Sequence, residues 1–552
     1  MFNYFSGLIM KVQKILLVIF LIVIFSLPIF SQNLERPKLV VGIIVDQMRY
    51  EYLYRFYQFY GNDGFKRLMN EGSNFTFAHF NYELTSTALG HASIYTGTTP
   101  FYHGIIGNSW YDRSLKKSVN CVKDQNEQSV GCDNDNGQRS PRRLLSTTIT
   151  DQLKLSTNGR SKVISVSIKD RAAILPGGHM PDGAYWYDGK TGNFITSTYY
   201  RSELPKWVKD FNNKKYSDLY LTKKWELSLP ESDYQINPPD ESPYEPDLFN
   251  EGKTSFPHSF EKVEHKDRYY RLLTTPFGNQ ILLDLTKSAL INENLGKGNE
   301  TDFLAISFSS PDMIGHEFGT HSYEMMDNFI KLDRQIADLL NALDSQVGKG
   351  NYLLFLTTDH AAIETQSYLR DKGVPVGGLN NKAFSDSIKA FARRTFGSSE
   401  LIANHSNRQI FLNYDFIKDK KLNLRTVQNE MVDYMRENFP QMTSIFTRDY
   451  LQTQVASRDQ KNLTVNGFNP TYSGDIAYDL QPGYLPEYKK TGTSHGTIFS
   501  YDTHIPLIFY GWKIPAQTIN TPVYIIDIAP TVADLLKITE PSASIGIPII
   551  KH

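Results

Sequence analysis

Five short runs along the chain are almost unbroken in their apolar character: KLVVGIIV (38–45), KVISVSI (162–168), FLAISFS (303–309), YLLFLTT (352–358) and HIPLIFYG (504–511). A strand with one wet face alternates apolar and polar residues. A run without alternation is buried on both faces, as in a parallel sheet covered by helices. Helical spacing lies between some of the runs. Met325, Phe329, Leu332, Ile336, Leu339, Leu340 and Leu343 fall on one face. DIAPTVADLLKI (527–538) begins another helix, with Pro530 tolerated in its first turn. Strands alternating with helices predict an α/β fold, a mostly parallel central sheet flanked by helices on both faces.

Two stretches interrupt this rhythm. Residues 195–275 are rich in Pro, Tyr, Trp and charge (ESDYQINPPDESPYEPDLFNEG), which predicts an irregular insertion lying over the sheet. Residues 385–485 carry helix-like and strand-like pieces of their own, including SIKAFARRTF and RQIFLNY, and predict a small α/β subdomain.

The start of the chain has a different pattern. Lys11 and Lys14 follow Met10, then comes an apolar run, then Pro28 and Ser31. This is the order of a secretory signal, residues 1–31 with Met10 as a candidate start; the alternative is an uncleaved single-span anchor. Either way the body of the protein, residues 32–552, is expected outside the cytoplasm. Export changes the reading of the only two cysteines, Cys121 and Cys132, which bracket the polar loop CVKDQNEQSVGC. They are expected to close a local disulfide. Charge adds an exclusion: 58 Lys and Arg against 59 Asp and Glu leave −1, no field to favour nucleic acid or an anionic membrane. No nucleic-acid binding, and no stable membrane association once the signal is cleaved, is expected.

In a parallel sheet, ligands bind beyond the carboxyl ends of the strands. Asp46 follows the first run. Asp312 and His316 follow the third, in SPDMIGH, and Asp359 and His360 follow the fourth. A lone strand-end Asp is commonly a helix cap; three in one sheet, two with histidine, point to metal. Asp312 and His316, four apart, share one helical face, and His495 adds a donor from the loop GTSHG. Mixed carboxylate and imidazole donors suit zinc better than calcium or magnesium.

These pieces occur in a recognisable order. VDQMRYEYLYRF, TSTALGHASIYTGTTPFYHGIIGNSW, SIKDRAAILPGGH, SPDMIGHEFG, TTDHA and GTSHGTIFSYDTHIPLIFYG resemble the alkaline phosphatase superfamily over residues 38–540, specifically its bacterial, periplasmic, threonine-nucleophile branch of PafA type. The resemblance implies a phosphomonoesterase working through a phosphothreonine at Thr87, with two zinc ions per chain. Asp46, Thr87, Asp359 and His360 would hold one ion, and Asp312, His316 and His495 the other. Asn108, Lys169 and Arg171 would bind the phosphoryl oxygens of a small-molecule monoester, in a monomeric periplasmic enzyme. Lys169 and Arg171, two apart beyond a strand, are expected to project to one side and to match a dianionic monoester better than a diester.

Other readings use the same residues. A phosphodiesterase or phosphonate hydrolase of the superfamily would share the metal ligands and Thr87 but is expected to lack the Lys–Arg pair. An exported zinc-binding protein would need neither Thr87 nor that pair. GTSHG also matches a serine-hydrolase elbow around Ser494, but no apolar strand precedes it. His91 and His103 are expected to pack or support rather than ligate. Tyr185, Trp186 and Tyr187 are open to either core packing or the substrate entrance.

Overall fold

The computed structural model describes residues 10–16 and 35–550. Residues 10–16 are helical and exposed and belong to a separate unit; most of the expected signal, with its expected cleavage site, lies outside the described residues. Among the described residues no helix is long and apolar enough to cross a membrane. All that follows concerns the unit beginning at Pro37.

Eleven strands form the central sheet. In chain order they are β1 (Leu39–Val45), β2 (Ser73–His79), β3 (Ser129–Val130), β4 (Val163–Ser167), β5 (Gly183–Asp188), β6 (Asn193–Ser197), β7 (Asp302–Phe308), β8 (Tyr352–Thr357), β9 (His504–Gly511), β10 (Gln517–Ile519) and β11 (Val523–Tyr524). Their spatial order is β10-β2-β9-β8-β1-β7-β4-β5-β6-β3, with β11 also on β2. The five central strands, β8 to β5, are parallel. Gly42 of β1 sits opposite Phe355 on one side and Ala305 on the other.

The unbroken apolar runs follow from this burial. Leu39, Val41, Ile43 and Val45 enter one core cluster, and Val40 and Ile44 enter another across the sheet. The first cluster is covered by helices Pro276–Asn292 and Tyr323–Gln346, the second by Thr87–Thr96 and Ile528–Leu536. Trp207, Trp225, Tyr234, Phe249 and Phe260, from the 195–275 stretch, join the first cluster. A third cluster lies within residues 379–480, under an antiparallel four-stranded sheet (Ile402–Ser406, Gln409–Leu412, Met442–Thr447, Ile476–Leu480).

Two expectations are corrected. β9 was expected to be parallel but runs antiparallel to β8 and β2. A strand buried on both faces reads the same in either direction, and the chain enters β9 from the carboxyl end of β8, so it can only run back. The expected disulfide is absent: Cys121 and Cys132 are separate thiols. Cys121 is buried in the second core cluster, and the Cys132 Sγ lies 3.7 Å from the Asn134 carbonyl. The loop is tied instead by β3 pairing with β6 and by a backbone bridge from Lys123 to Arg139. AYWYD is strand β5, with Tyr185 and Tyr187 in one core cluster and Trp186 in the other.

Helix Thr87–Thr96 lies close on the sheet because two glycines leave room. A Cβ on Gly42 would lie 2.3 Å from the Tyr95 hydroxyl and 2.6 Å from the Phe355 ring. A Cβ on Gly90 would lie 2.1 Å from the Asp359 carbonyl oxygen. Gly42→Ala should therefore overpack this face and cost about 1–3 kcal/mol, read as a lower denaturation midpoint; an unchanged midpoint would contradict the close packing.

Candidate active site

β8, β1 and β7 are adjacent and in register, so their carboxyl ends form one rim. Asp46 directly follows β1, Asp359 and His360 follow β8, and Asp312 and His316 lie on helix Ser310–Phe318 after β7. His495 reaches the same place from the loop before β9. The three carboxylates and His360 are almost fully buried. Donor atoms of Asp312, His316 and His495 lie within 4.8 Å of one another, and so do those of Asp46, Asp312 and His360. The Asp359 Oδ2 is 3.8 Å from the His360 Nε2. Six of the seven residues expected to ligate metal, all but Thr87, are thus brought together, with Asp312 common to both groups.

The histidine tautomers are set by the backbone. The Nδ1 of His316 donates to the Thr493 carbonyl at 3.0 Å, that of His360 to Ala361 at 3.0 Å, and that of His495 to Thr85 at 2.7 Å. A carbonyl can only accept, so each Nδ1 carries a proton. Burial lowers His316, but Asp312, 3.2 Å from its Nε2, outweighs this, raises that imidazole and favours its charged form. The His360 and His495 rings stack 3.6 Å apart. Burial pushes His360 down to about 4; burial and then the charge of His360 push His495 to about 3. Both imidazoles are thus held neutral near pH 7, the form in which an imidazole can bind metal.

The carboxylates divide. Burial opposes ionisation of Asp312, yet His316 and Lys169 hold it well below the usual range. Asp46 is pushed up to about 6 by burial and by Asp359. The Lys169 Nζ bridges them, 2.8 Å from the Asp46 Oδ2 and 2.5 Å from the Asp312 Oδ2. The Asp46 Oδ1, the Asp359 Oδ2 and the His360 Nε2 are buried without a hydrogen-bond partner. Buried polar atoms are rarely left so. The His360 Nε2 lies 3.5 Å from the Asp46 Oδ1 and 3.8 Å from the Asp359 Oδ2, and a divalent cation would satisfy such carboxylate and imidazole lone pairs.

The remaining expected residues flank this cluster. Thr87 is the first residue of its helix, and its Oγ1 makes no hydrogen bond among the described residues. Thr85 Oγ1 donates to the Thr497 carbonyl, whereas the Ser86 Oγ is buried without a partner. The Asn108 Oδ1 accepts from the Ala88 amide at 2.9 Å, which caps the helix start and leaves its Nδ2 unbonded. Lys169 and Arg171 begin helix Asp170–Gly177 rather than trailing from β4, and the Arg171 Nε is buried without a partner. Both line a cavity of about 940 Å³ with Asp312 and His316, walled further out by Trp186, Tyr187 and Tyr270.

These observations agree with what the chain is similar to. Residues 40–502 match the family described as type I phosphodiesterase / nucleotide pyrophosphatase. The chain belongs to that family. Alkaline phosphatase PafA of Elizabethkingia meningoseptica is 43% identical over 94% of this chain and 95% of its own. Alkaline phosphatase PhoV of Synechococcus elongatus is 43% identical over 94% and 93%. The crystal structure of wild-type alkaline phosphatase PafA superposes with a TM-score of 0.90 at 42% identity, covering 94% of this chain and 99% of that one. A second PafA structure carries replacements of a threonine, an asparagine, a lysine and an arginine.

Within this family fold, sequence reasoning missed Gln47. Its left-handed backbone (φ 64°) turns the chain after Asp46, its amide N–H donates to the Asp359 Oδ1 at 3.2 Å, and its Nε2 donates to the Asp312 Oδ1 at 2.6 Å. His91 lies 3.4 Å from the Asp359 Oδ2, and its Nε2 is 2.8 Å from the Ser307 Oγ. His103 is a neutral support: its Nδ1 accepts from the Ile105 amide, so its Nε2 donates to the Ser93 Oγ at 3.0 Å. Burial lowers it from 6.5 to about 3. The unfolded chain takes up this proton near pH 6.5 and the folded one only near pH 3, so the stability held here is full above pH 6.5 and falls as pH drops through that window. His103→Gln should flatten the slope of denaturation midpoint against pH between those values; an unaltered slope would contradict the assignment.

Proposed function

We propose that this protein hydrolyses phosphate monoesters at two zinc ions, through a covalent phosphothreonine at Thr87. At the coarser level it is a phosphomonoesterase of the alkaline phosphatase kind, a conclusion supported by relatives 43% identical over nearly the whole chain. One observation carries the finer reading. The buried, unpaired Asp46 Oδ1, Asp359 Oδ2, His360 Nε2 and Arg171 Nε support it, beside the helix that begins at Thr87, which packs on Asp359 at Gly90 and takes the Asn108 Oδ1 at Ala88.

Asp46, Asp359 and His360, with Thr87, would hold one zinc, and Asp312, His316 and His495 the other. Bound zinc supplies Lewis-acid stabilisation of oxygen charge on both sides of an in-line displacement. The protein's own groups do the rest. Thr87 Oγ1, its hydroxyl proton passed to solvent, attacks phosphorus; the new Oγ1–P bond forms as the ester P–O bond breaks, and the leaving alcohol takes a proton from solvent. Water then cleaves the Oγ1–P bond, releasing inorganic phosphate and restoring Thr87. Asn108 Nδ2, Lys169 and Arg171 receive the non-bridging oxygens, and the two cations match the dianion of a monoester. The relative whose mutant structure replaces a threonine, asparagine, lysine and arginine spaces them as here: 21 positions from threonine to asparagine and two from lysine to arginine.

The phosphodiesterase reading stays in view because the matched family carries that description; the Lys–Arg pair weighs against it. We further infer a periplasmic enzyme from the leader-like start taken with the family resemblance, and a monomer from that resemblance alone, with residues 32–552 as one catalytic domain bearing the 195–275 and 385–485 insertions.

Acid-quenching the enzyme during turnover of a phosphorus-labelled aryl monoester should trap label on Thr87, and Thr87→Ala should lose both the label and about 10³-fold or more in turnover. Chelation should abolish activity and zinc should restore it, with two equivalents bound. Retained turnover in Thr87→Ala, or label on Ser86, would overturn the nucleophile assignment.

A further inference from the structure

The antiparallel hairpin of the small subdomain, Ile402–Ser406 and Gln409–Leu412, turns on two consecutive left-handed residues, Asn407 (φ 52°) and Arg408 (φ 56°). Such backbone costs free energy in non-glycine residues and persists where surrounding contacts over-determine it. Here those contacts lead to the reaction centre. The Arg408 side chain is almost fully buried; its guanidinium donates to the Gly496 carbonyl and lies 3.3 Å from the Glu83 Oε1 and 3.9 Å from the Asp479 Oδ1. Gly496 is the residue after His495. Glu83 precedes Leu84, another left-handed non-glycine (φ 68°), on the approach to Thr87.

His495 and Thr85 are themselves joined by their 2.7 Å hydrogen bond. One buried guanidinium therefore grips the chain on both sides of that joint. Its neighbour acts on the other flank. The Asn407 Nδ2 donates to the Ser109 carbonyl at 2.7 Å, next to Asn108, whose own carbonyl accepts from the Cys121 amide at 3.0 Å. The approach is close: a Cβ on Gly107 would lie 2.6 Å from the Asn407 Nδ2. The turn is anchored behind by the Tyr478 amide, which donates to the Arg408 carbonyl at 3.1 Å.

We propose that the Asn407–Arg408 turn is a positioning device for the reaction, Arg408 setting His495 and the Thr87 approach, Asn407 setting Asn108. Neither side chain touches the reacting atoms. The inference rests on the roles given above to Asn108 and His495, and it makes the small subdomain part of the catalytic apparatus.

Arg408 neutralises buried carboxylates, so its removal risks the fold; Asn407→Gly keeps the left-handed backbone and deletes only the Ser109 bond. The test is a double-mutant cycle of Asn407→Gly and Asn108→Ala on the zinc-loaded enzyme, read in kcat/KM and in inhibition by inorganic phosphate, with thermal midpoints alongside. Asn407→Gly alone should lower both by about 3- to 10-fold with a near-native midpoint, and should cost nothing further once Asn108 is gone. Arg408→Lys keeps the charge but not the fork, and should weaken zinc affinity by about tenfold. Additive losses in the cycle, or unchanged zinc affinity in Arg408→Lys, would overturn the proposal. Turnover surviving in Thr87→Ala would instead overturn the reaction assignment, while the cycle read by phosphate inhibition would still judge the turn on its own.

Discussion

Three carboxylates, Asp46, Asp312 and Asp359, are buried at the ends of three adjacent parallel strands, and the arrangement holds only if cations and hydrogen-bond donors balance them. Buried negative charge without partners is costly enough to rearrange a site. Lys169 bridges two of the three, Gln47 donates to Asp312 and Asp359, and His91 approaches Asp359. The lone pairs left without a partner, on the His360 Nε2, the Asp46 Oδ1 and the Asp359 Oδ2, are what a divalent metal would take up. Much of the local structure serves this balance: carbonyls of Thr85, Ala361 and Thr493 orient the imidazoles, and Gly90 lets the Thr87 helix lie against Asp359.

What could be read in the sequence and what could not divide along physical lines. A strand covered on both faces leaves an unbroken apolar run, so β1, β4, β7, β8 and β9 were visible. The first four are parallel as expected. The direction of β9 was not visible, because burial carries no sign of chain direction. β2 and β6 mix polar with apolar residues and gave no such signal. The strand-end aspartates stood out because parallel sheets bind ligands there. Gln47 did not: its role depends on a left-handed turn and on carboxylates hundreds of residues away. The thiols misled because loop closure by strand pairing looks, in sequence, like closure by a disulfide. Asn407 and Arg408 were invisible for the same reason as Gln47.

The two additions to the sheet differ in kind. Aromatic residues of the 195–275 stretch pack into one of the sheet's own core clusters, and Tyr270 reaches the cavity beside Lys169. The 379–480 region keeps a core of its own and touches the site through the tip of one hairpin. The proposed metal ligands follow the sheet's strand ends, with His495 from a loop, and the proposed phosphate donors come from the start of helix Asp170–Gly177 and the loop at Asn108. Each group can then be tuned by a different part of the chain, which suits a family whose members share a scaffold yet act on different phosphate esters.

In the proposed reaction, Lys169 and Arg171 beside a metal-type cluster read the dianionic charge of a phosphate monoester. The most direct measurement is the ratio of kcat/KM for an aryl phosphate monoester to that for its methyl diester, in the native chain and in Arg171→Ala. The native chain should prefer the monoester by more than about 100-fold, and that preference should shrink by about 10²–10³-fold without Arg171. A diester preference, or a ratio that ignores Arg171, would contradict it.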